Sequence, residues 1–363
     1  KKKLKNSKKR YIDYFREIIK IDKKDPLKYI INKEWIDYHK VKDKWVSDKF
    51  IKIFGKKREG GTKISLHHKN IAAALQDRIE EVILFQLKIL KRQTRSNFLC
   101  ISGGVGLNCS LNGKIEKSKL FKKIFIQPAS GDAGVAYGTC LYSHLKYNKN
   151  HKFKKNYNFY LGSRTSKKEI QKILKKNKMN YLDLKEKIYF QTAKLISQGK
   201  IIGWYQGPAE FGPRALGNRS IICKPYPEKM RDHINKNVKF REYFRPFAPA
   251  VLEENLYDFF SIKQPSPHML IACNIKRNKK KFIPAVVHVD DSCRAQSVSK
   301  KLNERFWNLI NEFKKITGIP VLLNTSFNIK GQPIVNNPED AIKCFKKYKI
   351  DYLVMDTFLV KKR

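Results

Sequence analysis

Phe98-Leu99-Cys100-Ile101-Ser102-Gly103-Gly104-Val105-Gly106-Leu107-Asn108 opens on four apolar residues and closes on a glycine-rich turn. A short apolar run ending in glycines, ahead of a helix-forming stretch, reads as strand, turn and helix. The same order returns one step later, where Ile124-Phe125-Ile126 leads into Pro128-Ala129-Ser130-Gly131-Asp132-Ala133-Gly134. Two such units in succession indicate an α/β sheet with a ligand at the strand ends. Upstream, Ile71, Leu75, Ile79, Val82, Ile83 and Leu87 recur at helical spacing and predict a helix over 70–87. The first 60 residues are aromatic, lysine-rich and weakly patterned, and read as helices and loops decorating a core built elsewhere.

Residues 145–158 are polar and rich in lysine and asparagine, which marks a boundary. Beyond Tyr160-Leu161-Gly162 the pattern predicts helices near 167–177, 187–198, 302–316 and 338–347. Strands are predicted at 201–204, around 250–252 and 269–271, at 320–323, and as a closing strand from Tyr352 to Val360. Strands and helices mixed in this order indicate a second α/β domain, and no internal repeat is evident.

The chain has 363 residues, 41% hydrophobic and 12% aromatic, enough for two or three domains with substantial cores. Its net charge is +46, from 78 Lys plus Arg against 32 Asp plus Glu. Such a balance suits nucleic acid, because Lys and Arg displace counterions from phosphate. The excess is spread along the whole chain, however, and is mostly lysine, so uniform enrichment at solvated positions is the preferred account of it. The cysteines at 100, 109, 140, 223, 273, 293 and 344 are scattered and form no C-x-x-C pair. That argues against a structural zinc site and a disulfide framework. No apolar stretch approaches the roughly 20 residues of a membrane span, so a cytoplasmic setting is expected.

Several segments carry groups suited to chemistry. The glycines at 102–108 let backbone approach a phosphate, with Asn108 placed to bond a ribose or phosphate, or they form a simple tight turn. Asp132 suits a metal or magnesium-bound phosphate, or a helix cap. Gly207-Pro208-Ala209-Glu210-Phe211-Gly212-Pro213-Arg214-Ala215-Leu216-Gly217-Asn218-Arg219 fixes an irregular loop that projects two arginines, with Glu210 placed to hold one guanidinium. The other reading of this loop is a solvated surface turn. Lys239-Phe240-Arg241-Glu242-Tyr243-Phe244-Arg245-Pro246-Phe247 interleaves cations with aromatics, which strengthens ionic contacts or stacks single-stranded bases. Arg294 stands alone after a strand-like run. Asn324-Thr325-Ser326-Phe327-Asn328 follows a buried strand directly, at an edge where ligands sit or turns form.

Together these segments resemble the carbamoyltransferase family that includes nodulation and antibiotic-tailoring O-carbamoyltransferases. The resemblance rests on SGGVGLN (102–108), GDAGVAYG (131–138), GPAEFGPRALGNRS (207–220), FREYFRPFAPAVL (240–252), IPAVVHVDDSCRAQSV (283–298) and NTSFNIKGQPIV (324–335), in family order from about His68 onward. It implies a partial actin/Hsp70-like (Kae1-like) domain over residues 1–158, followed over 159–363 by a YrdC-like α/β domain with a mixed twisted sheet. It further implies that carbamoyl phosphate and ATP form carbamoyl adenylate, whose carbamoyl group then passes to a small-molecule or sugar hydroxyl beside a divalent metal, Fe or Mg. On the matching positions, Lys239, Arg245 and Arg294 would hold carbamoyl phosphate, with Arg214 and Arg219 in the same basic pocket. Asn324 and Ser326 would contact the adenylation nucleotide. Gly103, Gly104 and Asn108 would line the nucleotide pocket of the transfer site, and Asp132 would bind its metal.

The family takes two metal-binding histidines and a first nucleotide lobe from well upstream of the glycine turn, and few residues precede Ser102 here. His67 and His68 are adjacent, which does not mimic ligands on successive helical turns, so His68 reads as a helix-start residue. The expectation is a fragment, or half of a split enzyme whose partner chain supplies the lobe, able to form the adenylate without transferring it. A homodimer is also compatible; a membrane partner is not expected. The rival readings are a tRNA threonylcarbamoyl-type enzyme and a non-catalytic nucleic-acid binder, which the charge suits. Isolated arginines in glycine/proline loops fit small phosphates better than a duplex backbone.

Overall fold

The computed structural model of the chain describes residues 3–4, 9–151, 158–328 and 330–362. Its backbone divides into two compact units, Lys1–Leu99 with Lys117–Lys123 and Cys100–Glu116 with Ile124–Arg363. Both glycine turns therefore fall in the second unit. No helix among the described residues is long and apolar enough to cross a membrane.

In the first unit, α1 (Tyr11–Ile18) leads into antiparallel β1 (Ile19–Ile21) and β2 (Tyr29–Ile31), followed by α2 (Asp48–Phe54) and the long α3 (Leu66–Thr94). Tyr11, Phe15 and Ile18 lie on one face of α1 and bury against Trp35, Phe54 and Ala74. Arg78 of α3 donates to the Ile19 carbonyl at 2.9 and 2.7 Å and fastens the helix to β1. The opening residues thus build a core of their own, contrary to the expectation that they only decorate another. The physical reason is aromatic packing: Phe54 touches the rings of Tyr11, Tyr14, Phe15, Trp35 and Phe50, and this does not show as a periodic pattern.

Strand β3 (Phe98–Ile101) carries the chain into the second unit, followed by α4 (Cys109–Lys117), β4 (Lys123–Ile126) and α5 (Ala133–Tyr147). Next come α6 (Lys167–Lys176), β5 (Asn180–Asp183), α7 (Ile188–Ser197), β6 (Ile202–Tyr205), β7 (Arg219–Cys223), α8 (Lys229–Ile234), β8 (Ala248–Leu252), α9 (Leu256–Phe259) and β9 (Phe260–Ser261). The chain ends with β10 (Cys273–Ile275), β11 (Ser292–Cys293), β12 (Gln296–Val298), α10 (Glu304–Thr317), β13 (Val321–Ser326), α11 (Pro338–Lys347), β14 (Tyr352–Met355) and β15 (Phe358–Lys361). Eight strands form one mixed sheet in the order β12-β8-β13-β7-β6-β14-β15-β5, parallel only at β12–β8 and β6–β14.

The central strands are buried along their whole length, in keeping with the apolar runs of β6 and β8. Ile202, Trp204, Ile222, Leu252, Leu322 and Val354 face α7 and α10, whose Phe306, Leu309, Ile310 and Phe313 complete that core. Helix α11 packs on β6 and β14. Asn303 and Asn337 cap α10 and α11 through their side-chain oxygens.

Two predicted strands differ. Met269–Ile271 is buried but pairs with no strand. Asn112 takes the Leu270 carbonyl at 2.8 Å, and the Ala272 amide donates to the Cys109 carbonyl at 2.9 Å, so α4 satisfies the backbone in place of a sheet neighbour. The closing strand is a hairpin, β14 to β15, folded where Asp356 takes φ 54°. Strand β7, which continues the 207–219 loop, was not foreseen.

Gly217 ends that loop at φ 102°, and a Cβ there would stand 2.2 Å from the Phe306 ring. Gly217→Ala is expected to lower stability by about 2 kcal/mol or more, from backbone strain and overpacking together. A urea midpoint unchanged from wild type would refute this.

Candidate functional site

A single carboxylate shapes the 207–219 loop. Glu210 Oε1 accepts the backbone amides of Leu216 at 2.6 Å, Asn218 at 2.8 Å and Arg219 at 3.1 Å. The expectation that Glu210 holds a guanidinium is not met among the described residues: Oε1 serves the loop's own amides, and Oε2 is buried without a hydrogen-bond partner. Arg219, fully buried, spends its guanidinium on the carbonyls of Gln206, Gly207, Asn218 and Ser163 while lying 3.7 Å over the Tyr205 ring. Burial depresses its pKa. Its donors brace the loop, leaving Arg214 as the cation this loop carries toward the others. A Cβ on Gly212 would meet the Pro128 carbonyl at 2.9 Å, so the loop lies directly against the second glycine turn.

The other cations come from 239–245 and 294. A π-helical turn, Asn235–Lys239, ends in Phe240 at φ 47°, a conformation bulky residues rarely adopt. It sends Arg241 back onto Asn235, whose Oδ1 accepts from Arg241 Nε at 2.7 Å. The Asn235 amide donates to the carbonyls of Tyr243 at 3.2 Å and Arg245 at 3.1 Å. Arg241 also lies 4.5 Å over the Phe247 ring and donates to the Pro246 carbonyl. Arg245 is exposed and pairs with Glu242 at 2.9 Å. The Lys239 ammonium is buried and donates to the Ser326 carbonyl at 2.9 Å, the Ser326 hydroxyl at 3.1 Å and the Asn328 side-chain carbonyl.

These cations repel one another. Burial first and Arg294 second bring the Arg214 pKa down to about 10. Burial, then Arg245 and Arg294, bring Arg241 down to about 10. Burial and Arg241 bring Lys239 down to about 8. Among the described residues Arg214, Arg241 and Arg294 form no ion pair with a carboxylate, and the Nε atoms of Arg214 and Arg294 are buried without a partner. Positive groups gathered in a poorly solvated place, with part of the donors of Arg214 and Arg294 unspent, are suited to receive an anion. Of the expected residues, Lys239, Arg214, Arg245 and Arg294 are brought near one another, through direct coupling or through Arg241. Arg241 lies outside the expected site residues; its spacing from Lys239 and Arg245 is the signal in the sequence that points to it.

Beside the cluster lies a cavity of about 480 Å³ lined by Glu210, Arg219, Ser326, Asn328, Gln332 and Asn336, among others. Ser326 and Asn328 are the residues that receive the Lys239 ammonium, so cavity and cluster share a wall. Asn324 is 1% exposed and lies beneath the loop, donating to the Ala215 carbonyl at 3.2 Å and to Gln296 Oε1 at 2.9 Å.

Of the first glycine turn, Gly103 has φ 95°, Gly104–Leu107 forms a 3-10 turn, and Asn108 Oδ1 accepts the Leu111 amide at 3.1 Å at the head of α4. A Cβ on Gly106 would meet the Ser130 hydroxyl at 3.0 Å, which brings the two glycine turns together. Arg214 is near enough to feel the Cys109 thiol. Asp132 is exposed at the start of α5 and makes no capping bond through its side chain. His67 bonds Tyr11 and the Phe54 carbonyl through its two nitrogens, and His68 closes the capping box of α3 with Ser65. No group of three His, Cys, Asp or Glu side chains among the described residues could hold a metal, so these residues do not fit the divalent ion that the resemblance implies.

Residues 193–362 match the family model for the carbamoyltransferase C-terminus, and residues 4–141 that for the carbamoyltransferase N-terminus. The nodulation protein NolO of Bradyrhizobium diazoefficiens is 39% identical over 311 residues, covering 84% of this chain and 57% of that protein. NolNO of Sinorhizobium fredii is 38% identical over 311 residues, covering 84% and 46%. An uncharacterized protein of Methanocaldococcus jannaschii is 36% identical over 342 residues, covering 92% and 56%. The chain thus spans about half the length of the curated relatives it matches. Among solved structures, T. kodakarensis HypF is similar at a TM-score of 0.31 and 17% identity over 42% of this chain and 19% of that one, too slight a likeness to argue from.

Lys239 should make anion binding pH-dependent. Its ammonium is charged below about pH 8 and loses its proton above it, so a bound dianion is favoured on the acid side. Sulfate, doubly charged throughout, is expected to bind with constant affinity near neutrality and more weakly as pH passes 8, by up to about tenfold per unit, in calorimetry. A flat profile through that range would exclude Lys239 from the site.

Proposed function

The chain belongs to the carbamoyltransferase family, and we propose that it forms carbamoyl adenylate from carbamoyl phosphate and ATP as the donor for a small-molecule or sugar hydroxyl. The observation that carries this reading is a cluster of cations, of which Arg214, Arg241 and Arg294 lack carboxylate partners among the described residues, beside a cavity of about 480 Å³. Both substrates are polyanions, and bringing them together requires several fixed positive groups. In this reading Lys239, Arg214, Arg241, Arg245 and Arg294 hold carbamoyl phosphate. Ser326 faces the nucleotide in the cavity, while Glu210, Arg219 and Asn324 keep the loop in shape.

The chemistry balances in two steps. Water releases phosphate from carbamoyl phosphate and leaves carbamate. A carbamate oxygen then attacks the α-phosphorus of ATP, and pyrophosphate departs with the electrons of the broken P–O bond. Guanidinium groups on both phosphates neutralise charge as it develops, and burial shields the labile carbamate from water.

The proposal assigns adenylate formation to a YrdC-like domain over residues 159–363. It assigns residues 1–158 to the C-terminal part of an actin/Hsp70-like domain, with Gly103, Gly104, Asn108 and Asp132 on the transfer side. Transfer to the hydroxyl then belongs with the further length that the relatives carry, in the same or a separate chain.

The test separates the half-reactions. Pyrophosphate release from ATP is expected only when carbamoyl phosphate is present, and Arg294→Ala or Lys239→Met should slow it at least about 100-fold. Carbamoylation of hydroxylated acceptors, followed by mass spectrometry, is expected to be absent with this chain alone. Pyrophosphate release indifferent to carbamoyl phosphate would overturn the reading. Full transfer by this chain would overturn the division of labour.

A further inference from the structure

Cys273 in β10 and Cys293 in β11 are register partners across an antiparallel pair, with their sulfurs 3.8 Å apart. Side chains directly opposite on such a pair have Cβ atoms about 4.5–5.5 Å apart, and a disulfide bond is about 2.05 Å long. Closing the bond therefore needs side-chain rotation and a modest approach of the strands, not a new backbone. Twenty residues of sequence and no C-x-x-C pattern separate the two, so the pairing exists only in the fold.

Both side chains are buried, at 1% and 4% exposure. Strand β11 is two residues long and forms an edge of the sheet β11-β10-β9, the kind of element that opens locally without global unfolding. Arg294 follows Cys293 directly and presses on both Arg214 and Arg241. On the other side Ala272, which precedes Cys273, donates to the Cys109 carbonyl, and a Cβ on Gly113 would stand 2.2 Å from the Ala272 oxygen. The two sulfurs thus join the segment that carries Arg294 to the segment clamped on α4.

We propose that Cys273 and Cys293 are a redox-modification site, oxidised in the folded protein by a low-molecular-weight disulfide to an intramolecular disulfide that fixes Arg294 relative to α4. One cysteine thiolate attacks the small disulfide, forming a mixed disulfide and expelling one small thiolate. The second cysteine thiolate then attacks the protein sulfur of that mixed disulfide and expels the other. Two protein thiols are oxidised, one small disulfide is reduced to two thiols, and the protons go to solvent or the leaving thiolates. Burial pushes the Cys293 thiol well above its ordinary pKa, so exchange proceeds through opening of β11 and quickens as pH rises.

The test incubates the whole chain with glutathione at graded reduced-to-oxidised ratios, quenches with an alkylating reagent and maps peptides. The peptides holding Cys273 and Cys293 are expected to be joined and two hydrogens lighter while the protein stays folded, whereas the exposed Cys100 and Cys140 carry glutathione. Cys293→Ser should abolish the joined species. Amide exchange over 288–298 should slow at least about fivefold on oxidation. The proposal fails if both cysteines remain alkylated at ratios that fully modify Cys100 and Cys140, or if the link appears only once the fold is lost. The effect on Arg294 rests on the anion site proposed above and is read as sulfate affinity, expected to change at least about threefold between reduced and oxidised protein. Equal affinities overturn that coupling. A reduced protein that binds no sulfate counts against the anion site and leaves the cross-link result to be judged by itself.

Discussion

Positive charge brought out of water and set beside more positive charge opposes folding, and the second unit is built to tolerate this. Arg214, Arg241 and Lys239 all have pKa values lowered by burial and by neighbouring cations. None would hold its place without a framework that fixes the backbone independently of the charges. A ligand dianion reverses the sign of the problem: groups that repel in its absence then share one counter-charge. The unliganded site is therefore the less stable form locally, and substrate binding and local order are expected to be linked.

That framework is made of side chains whose hydrogen bonds run to the backbone. Glu210 gathers three amides, Arg219 gathers carbonyls from both ends of the loop, and Asn235 ties Arg241 to the backbone at Tyr243 and Arg245. Beneath the loop, Asn324 and Gln296 link β13 and β12 to the Ala215 and Leu216 carbonyls. The loop has no regular structure because its hydrogen bonds run to side chains instead of to a neighbouring strand. Gly217 shows how closely this packing is set, since its missing side chain is the space that the Phe306 ring occupies.

Sequence reasoning reached the parts of this arrangement that leave a local trace. Apolar runs gave β6, β8 and β13, and helical spacing gave α3, α7, α10 and α11, because each of those signals arises within one element. What it missed depends on contacts distant in the chain. Glu210 looked like an arginine partner because its three amide donors lie six to nine residues away in a loop of unknown shape. Arg219 and Arg214 are equivalent in sequence, five residues apart in the same loop, and each keeps a buried Nε without a partner, yet the terminal nitrogens of Arg219 are spent on carbonyls. Met269–Ile271 had the composition of a strand, but α4 satisfies its backbone. The opening aromatic core was illegible for the same reason: rings converge on Phe54 from five places without a period.

Net charge and burial pattern point in different directions here. Of 78 Lys and Arg residues in the chain, most of those described lie exposed or in surface ion pairs such as Lys44–Asp48 and Lys315–Glu312, pairs worth about 0–1 kcal/mol that organise little. Among the described residues the cations whose pKa burial depresses are few: Arg214, Arg219, Lys239 and Arg241, with Lys362 apart from them on the Tyr348 carbonyl. Four of the five lie in or beside one loop and its neighbouring turn. A surface meant for a nucleic-acid backbone would keep its cations solvated and free to trade counterions. This chain instead removes a handful of its cations from water in and beside one loop, an arrangement that supports the proposed recognition of small, highly charged phosphates.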